Sequence, residues 1–420
     1  MPDRTEQDKR ARLHQRLRRL GGGSGARRAV PKQRAGAEKS GPGLGQPVET
    51  PSGPAYLIEQ HYAHDFEHGR APLGQLLHFE PHLAASVAQD PGLGQLGARD
   101  LIFLDTETTG LAGGAGTLVF LVGLGQFTEA GFELRQYFLR DPAQERAMLA
   151  ALEWALEKGA AFVTFNGRSF DLPLLDMRYR IAARASAGLT GWPHLDLLYP
   201  SRRLWRRELQ DCRLGTLEKE VLAVRRTEED VPGALIPGMY LDYLRSGEER
   251  EMERVVYHNA IDILSLVALT GEVLDRHRAE AIAGLSGAEA LGIARWHQHH
   301  GQIEPAEAAY LAAIEAGEQK LRLDALRHFT QHLKREGRRV EAARYWQDWH
   351  TQDPADPQPC VELSKYFEWQ LRDLEQAKLW AEKALLSLSH WPPGWRTDQA
   401  WADVQHRLER LNRKLAVDAG

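Results

Sequence analysis

The chain has 420 residues, 43% of them hydrophobic and 26% charged, and this balance predicts two or three globular domains and excludes a wholly disordered, collagen-like or disulfide-scaffold protein. The net charge of −5 is divided unevenly, because residues 1–48 carry +8 and residues 49–420 carry −13. The two cysteines lie far apart, so we expect no cysteine-built metal site. The N-terminus is polar and the longest apolar run is too short to span a bilayer, so we expect a cytoplasmic protein without a membrane partner.

Residues 1–52 are predicted to form a basic, Gly-rich and largely disordered arm. The leucines of 5–20 have helical spacing and predict a short helix, whereas 21–52 lack apolar periodicity. An arm of this charge either contacts nucleic-acid phosphates or is a solvated tail that binds nothing specific.

Residues 53–100 are a lead-in segment that we expect to pack on the domain that follows. From Leu101 onward, strand and helix signals alternate after an initial meander, which predicts a mixed α/β domain over 101–275. Strands are predicted at 101–104, 117–124, 132–139, 161–165 and 194–198, and helices at 141–158 and 171–185.

Beyond residue 285 the strand signals end and a repeat begins. Gly301, Gly337 and Arg372 occupy corresponding positions ahead of similarly spaced small residues, at intervals of 36 and 35 residues. Each unit holds two amphipathic helices and resembles a tetratricopeptide repeat, with a final helix near 397–415. The sequence therefore predicts an all-α tetratricopeptide-like solenoid over 285–415, to which we assign the recruitment of a protein partner.

The first predicted strand of the α/β domain runs into an acidic motif, Asp105-Thr106-Glu107-Thr108-Thr109-Gly110-Leu111. Because strand side chains alternate between faces, Asp105 and Glu107 are expected to point the same way. Neighbouring carboxylates repel each other unless a cation lies between them, and oxygen ligands without thiolates favour Mg²⁺ or Mn²⁺. The motif therefore predicts a metal site at the end of this strand.

Two later motifs supply further acids. At 165–173 a buried strand ends and a helix begins near Asp171, whose carboxylate is either a helix cap or a metal ligand. On a strongly periodic helix, His258 and Asp262 lie one turn apart on one face, as an ordinary helix pair or as parts of the same site.

In this order the three motifs resemble those of the DnaQ-like, ribonuclease H-fold 3′–5′ exonucleases with four acidic metal ligands, the DEDD class. The chain is also similar to the bacterial YprB-like family of predicted exonucleases that carry tetratricopeptide repeats. The resemblance covers 101–269 well and the repeats more loosely. It implies a ribonuclease H-like domain, a mixed sheet flanked by helices, in which two Mg²⁺ or Mn²⁺ ions cleave a phosphodiester bond. The implied metal ligands are Asp105, Glu107, Asp171 and Asp262.

The general base is where the sequence departs from that class. One branch of the class has Tyr four positions before the last Asp, and the other has His five positions before it. Here His258 is at minus four and Tyr257 at minus five, so the spacings are exchanged. We favour His258, because one helical turn places it beside Asp262 and histidines titrate near neutrality, with Tyr257 as the alternative.

Other residues have a functional and a structural interpretation side by side. The loop of the acidic motif resembles the segment that contacts the terminal nucleotide, although Thr106 is expected to face away from the metal ions. Asn166 either contacts substrate or holds a turn, and the arginines near 202 either contact phosphates or form a solvated helix face. The candidate substrate-binding residues are Thr106, Thr108, Thr109, Gly110, Asn166, Arg202 and Arg203.

The leading functional hypothesis is a metal-dependent 3′–5′ exonuclease acting on a DNA or RNA end. A catalytically weak, nuclease-like scaffold that binds protein or nucleic acid through its repeats and arm is the alternative. An endonuclease on the same fold is a third hypothesis. The presence of all four acids argues against the scaffold, since a binding module does not need carboxylates that repel each other.

Overall fold

A computed structural model describes residues 44–110, 114, 116–184, 187–227 and 229–418. The chain divides into two compact units. The first comprises Met1–Arg202 and Asp211–His277, and the second comprises Arg203–Gln210 and Arg278–Gly420. The predicted arm helix at 5–20 lies outside the described residues. Residues 203–210, which we had predicted within the α/β domain, belong to the second unit.

The first unit is built on a mixed seven-stranded sheet in the order β1-β2-β7-β6-β5-β8-β9. The strands β5, β8 and β9 run parallel to one another, and the other neighbouring pairs are antiparallel. Two-residue strands β3 and β4 form a separate pair. The strands are β1 (Gln46–Thr50), β2 (Gly53–Tyr62), β3 (Glu67–His68), β4 (Ala71–Pro72), β5 (Leu101–Thr108), β6 (Val119–Phe127), β7 (Phe132–Phe138), β8 (Ala161–Thr164) and β9 (His194–Asp196).

The sheet begins earlier in the chain than we predicted. Residues 46–50 form a strand that pairs with β2, so the predicted disordered arm is wrong for this segment. The lead-in segment does more than pack on the domain, because its strand β2 pairs with β7 and joins the sheet. The strand β1 carries Pro47 and no apolar alternation, and such a sequence is tolerated only at a sheet edge, where a missing donor costs no ladder hydrogen bond.

Helices flank this sheet, and the longest of them positions two of the predicted site residues. This helix, α7 (Arg250–Arg276), packs on β5, β6 and β7. Its approach to β6 is close, because a Cβ added to Gly123 would collide with Asn259 and one added to Gly125 would collide with Ile263. π-Helical turns extend α3 to Ala183 and α5 to Leu222. The helices of this region are α1 (Pro81–Ala88), α2 (Glu145–Leu156), α3 (Asp171–Arg178), α4 (Leu198–Trp205), α5 (Leu214–Leu217), α6 (Ile236–Ser246) and α7 (Arg250–Arg276).

The second unit is an array of helices in which each helix packs on the next one in the chain. Gly301, Gly337 and Arg372 all adopt left-handed backbone conformations, with φ of 70°, 77° and 55°, at the turns between paired helices. The structure therefore confirms a repeating helical region, and its assignment to tetratricopeptide repeats stays a prediction. The helices are α8 (Gly287–His299), α9 (Ile303–Ala316), α10 (Gln319–Arg335), α11 (Arg339–Gln352), α12 (Gln358–Tyr366), α13 (Leu374–Leu388) and α14 (Trp395–Asp418).

Within the described ranges, none of the helices combines the length and the apolar composition that crossing a membrane requires.

Candidate active site

Four carboxylates from three separate elements meet at one edge of the sheet. Asp105 and Glu107 lie near the carboxyl end of β5, where the pairing with β6 shifts register after Glu107. Asp171 is the first residue of α3, which follows the neighbouring parallel strand β8. Asp262 lies on α7, above the same strands. Since the carboxyl ends of parallel strands share one sheet edge, the fold brings these acids together.

Burial raises the pKa of all four acids, and the charges of the other acids raise it further for Asp105 and Glu107. The pKa of Asp105 is held well above its usual range by burial, then by the charges of Asp262, Glu107 and Asp171. That of Glu107 is raised well above its usual range by burial and by Asp262 and Asp171. Burial raises the pKa of Asp171 to about 6 and also raises that of Asp262. The acids are therefore close enough to destabilise one another's ionised forms in the absence of a cation.

His258 faces two of these acids. Its Nε2 atom lies 3.5 Å from Oδ2 of Asp262 and 3.9 Å from Oε1 of Glu107. The other ring nitrogen, Nδ1, lies 2.7 Å from Oδ1 of Asp230. Ligand atoms of Glu107, His258 and Asp262 all lie within 4.8 Å of one another, which is close enough for one metal ion to contact all three.

Tyr257 has a different environment. Its hydroxyl oxygen accepts a 3.4 Å hydrogen bond from the backbone N–H of Thr227. In the described part of the chain, no hydrogen bond joins this hydroxyl to any of the four acids. The structure thus places His258, and not Tyr257, against the carboxylates.

Arg226 is a member of the site that the sequence analysis missed. Its guanidinium group pairs with Asp262 and makes two hydrogen bonds to Glu218, of 2.6 and 2.7 Å. It also lies 3.2 Å from Asp230. Although burial opposes it, the bonds from His258 and Arg226 lower the pKa of Asp230. Arg226 lies in a loop 36 positions before Asp262, and no local periodicity indicates that the two side chains meet.

Asn259 is a second residue that the sequence analysis missed. Its side chain is fully buried, and its Nδ2 atom donates a 2.8 Å hydrogen bond to Oδ2 of Asp105. Its Oδ1 atom accepts a 2.9 Å hydrogen bond from Gln136, which also donates to the carbonyl of Val256. This chain of hydrogen bonds orients the carboxylate of Asp105. A signal was available in the sequence, because Asn259 lies three positions before Asp262 on the same helix face.

Thr106 contacts one of the acids directly. Its hydroxyl donates a hydrogen bond to Asp171, although strand alternation places Thr106 on the face of β5 opposite to Asp105 and Glu107. The expectation that Thr106 faces away from the acids therefore does not hold for Asp171. The hydrogen bond lowers the pKa of Asp171 and offsets part of the effect of burial.

The remaining loop candidates have structural partners. The hydroxyl of Thr108 donates to the carbonyl of Gly110 at 3.0 Å. The hydroxyl of Thr109 accepts a 2.9 Å hydrogen bond from the backbone N–H of Leu118, which closes the loop. These three residues lie next to the carboxylates in sequence, and Leu111 of the same motif lies outside the described residues.

Asn166 occupies the turn between β8 and α3. It has a left-handed φ of 69°, and its backbone N–H donates to Asp196 at 2.8 Å while its side chain is exposed. Asp196 also accepts from the backbone N–H of Leu198, so this acid holds a turn and a helix start. Arg202 is exposed, and Arg203 belongs to the second unit, where it is described below.

Comparison with known proteins adds the following similarities. A model of the RNase H superfamily matches residues 102–274, a range that contains all four acids. The chain is 32% identical over 325 residues to the uncharacterized protein YprB of Bacillus subtilis (strain 168), with 76% of this chain and 75% of YprB covered. A solved structure, the family B DNA polymerase from the hyperthermophilic archaeon Pyrobaculum calidifontis, has 13% identity and a TM-score of 0.32. That match covers 48% of this chain and 29% of the polymerase chain.

Proposed function

The chain belongs to the same family as YprB of Bacillus subtilis and contains an RNase H-like domain, and from this premise we propose that it is a metal-dependent 3′–5′ exonuclease of the DEDD type. Its substrate is a DNA or RNA end, and the bond that it hydrolyses is a phosphodiester. The observation that carries the proposal is the convergence of Asp105, Glu107, Asp171 and Asp262, of which Glu107 and Asp262 also face His258.

The donor set fits divalent metal ions. The charges of neighbouring acids raise the pKa of Asp105 and Glu107, and a cation among these carboxylates would relieve that repulsion. Carboxylate oxygens without a thiolate suit Mg²⁺ or Mn²⁺. The four acids would hold the ions, which when bound lower the pKa of a water molecule and neutralise charge on the scissile phosphate.

His258 has the position of a general base. An Nδ1–H that donates to Asp230 leaves the lone pair of Nε2 facing Asp262 and Glu107, where it can accept a proton from the attacking water. The carboxylate of Asp230 then stabilises the imidazolium that forms, as a carboxylate behind a catalytic histidine does in hydrolases. This geometry supports His258 over Tyr257 as the base.

Two further residues support the acids. Asn259 holds the carboxylate of Asp105 in one orientation, and Thr106 does the same for Asp171. Such partners of metal ligands are expected to matter for metal affinity nearly as much as the ligands themselves. The loop of Thr108, Thr109 and Gly110 begins beside the acids and is our candidate for contact with the terminal nucleotide.

The test is cleavage of an end-labelled single-stranded oligonucleotide by the full chain with Mn²⁺ or Mg²⁺. A 5′-labelled strand should shorten progressively, a 3′-labelled strand should release its label in the first step, and a circular strand should remain intact. Asp105→Asn should abolish the reaction. The matched control is Asp242→Asn, because the side chain of Asp242 is 76% exposed in the same unit and should be dispensable. Wild-type activity in Asp105→Asn would refute the proposal.

The second candidate is a nuclease-like scaffold, and one observation favours it. The guanidinium group of Arg226 neutralises Asp262 without a metal ion, which weakens the need for a cation at that acid. Calorimetric titration with Mn²⁺ separates the two candidates. The exonuclease proposal predicts saturable binding that Asp262→Asn removes, whereas the scaffold predicts no heat of binding above that of the variant.

A further inference from the structure

The second unit contains a cavity of about 770 Å³ that the proposed exonuclease site does not use. It lies within the size range of ligand pockets. Its walls come from the end of α4 and the residues that follow it, within 203–210, and from α8 and α10, and all the lining residues belong to this unit. A Cβ added to Gly292 would collide with the carbonyl oxygen of Arg203, so the backbone of α8 at Gly292 lies in close contact with the backbone at Arg203. The basic and aromatic lining residues are Arg203, Arg207, Arg295, Arg335, His299, His300, His328 and Trp296.

The lining of this cavity is cationic and contains four arginines and no acid. Arg207, Arg295 and Arg335 are exposed. Over the described ranges of the chain, none of these three arginines forms an ion pair. The acid that acts on the cavity from α10 is Asp324, whose charge reaches Arg207 and His328.

The positive groups disfavour one another's charged forms. Burial lowers the pKa of Arg203 to about 10. Burial and the nearby charge of Arg295 lower the pKa of both Arg207 and His328. A bound anion would reverse these effects, because an opposite charge within a few ångströms favours the charged form.

The cavity also offers groups that suit a nucleotide better than a simple anion. The guanidinium group of Arg203 lies 4.8 Å from the ring of Trp296, in a stacked cation–π contact. Arginine planes and aromatic rings stack on bases.

We propose that this cavity is a second nucleic-acid site, in which the arginines bind backbone phosphates of a single strand. The planar guanidinium group bonds bidentately to phosphate, and arginine without lysine is the composition found here. The inference rests on the proposed function for its choice of ligand, because a chain that cleaves nucleic acid meets strands longer than its active site holds. An acidic peptide is the competing ligand, and the experiment distinguishes the two.

The experiment measures binding by fluorescence anisotropy in the presence of EDTA, so that no cleavage occurs. The probes are a fluorescein-labelled oligothymidylate and a fluorescein-labelled polyglutamate peptide, each titrated with the full chain. The test variant is Arg295→Gln with Arg335→Gln. The control is Arg344→Gln with Arg396→Gln, since both of these arginines are exposed in the same unit and neither lines the cavity.

If two phosphate contacts are lost, the slope of log K against log salt should become shallower by about 1.4, which is about 25-fold weaker binding at 0.1 M salt. The control should match the wild type. Unchanged oligothymidylate binding in the test variant overturns the inference, and so does a loss confined to polyglutamate. The four arginines that the test and control variants replace are all exposed, so both variants should melt at the wild-type temperature.

Cleavage is measured separately with Mn²⁺, so the two proposals can fail independently. Cleavage by the wild type with unchanged binding in the test variant rejects the cavity alone. Cavity-dependent binding without cleavage in any metal ion rejects the exonuclease alone and leaves the nucleic-acid site supported.

Discussion

The substitution Asn259→Ala tests whether an uncharged residue controls metal affinity at the proposed site. The side chain of Asn259 is fully buried and is the donor that points at Oδ2 of Asp105. Removing it leaves the carboxylate of Asp105 in the same buried place without that donor, and the Nε2 atom of Gln136 keeps its bond to the carbonyl of Val256. A hydrogen bond to a charged group contributes about 1.5–3 kcal/mol.

That energy corresponds to about a 10- to 100-fold loss in Mn²⁺ affinity, the range typical of residues that orient metal ligands. The direction follows from the pKa of Asp105, which the hydrogen bond from Asn259 lowers and its loss raises. At a fixed pH more of the carboxyl is then protonated and unavailable to a metal ion. The variant should also unfold more easily, because a buried side chain and its hydrogen bonds are lost.

The assay is calorimetric titration of the metal-free full chain with Mn²⁺, together with thermal unfolding of the same samples. The control is Ser265→Ala, because Ser265 is equally buried on α7 and bonds to His68 at 2.9 Å rather than to the acids. It should lower the unfolding temperature and leave Mn²⁺ affinity unchanged. Equal Mn²⁺ affinity in Asn259→Ala and the wild type would refute the reasoning, as would an equal loss in both variants.

Three further predictions follow from the same geometry. Burial raises the pKa of Asp171 from 3.8 to about 6, so its stabilising contribution to the fold is present below pH 4 and is lost as the pH rises through 6. Asp171→Asn should therefore stabilise the metal-free protein at pH 7 by up to about 3 kcal/mol in urea unfolding while abolishing cleavage. A variant that is less stable than the wild type at pH 7 contradicts this. His258→Gln should reduce kcat for oligonucleotide shortening by about 10²–10⁴-fold and Tyr257→Phe by only a few-fold, and the opposite ranking would make Tyr257 the base. Gly337→Ala should destabilise the protein by about 1 kcal/mol in thermal unfolding, because a φ of 77° is unfavourable for a residue with a side chain. At the corresponding turn Arg372 already has a side chain, so Arg372→Ala should change the stability little. Equal losses in the two variants would rule out the backbone explanation.

The parts of the site that could be predicted from the sequence depend on local periodicity. Strand alternation placed Asp105 and Glu107 on one face, and helical spacing placed His258 beside Asp262. The structure agrees with both placements because each relation spans four residues or fewer. The strands β5 to β9 could be located for the same reason, since each has its own apolar pattern, whereas β1 and β2 were not predicted.

The contacts that could not be predicted join residues far apart in the chain. Asn259 and Asp105 are 154 positions apart, and Arg226 meets Asp262 from a loop with no regular pattern. The strand β1 was missed because its sequence is polar and its conformation depends on pairing with β2. In each case the contact or conformation depends on a partner elsewhere in the chain, so the local sequence alone does not indicate it.

The close approach of α7 to Gly123 has a consequence for how this protein can vary. A methyl group at that position would push against Asn259, and through it against the orientation of Asp105. Gly123 touches neither metal ion nor substrate in the proposed reaction, yet alanine there should weaken the proposed site as Asn259→Ala does, because it displaces the same side chain. A ranking of residues by their own chemistry would not select Gly123. The tolerance of the proposed exonuclease site to mutation is therefore limited by the packing at Gly123 as well as by its acids.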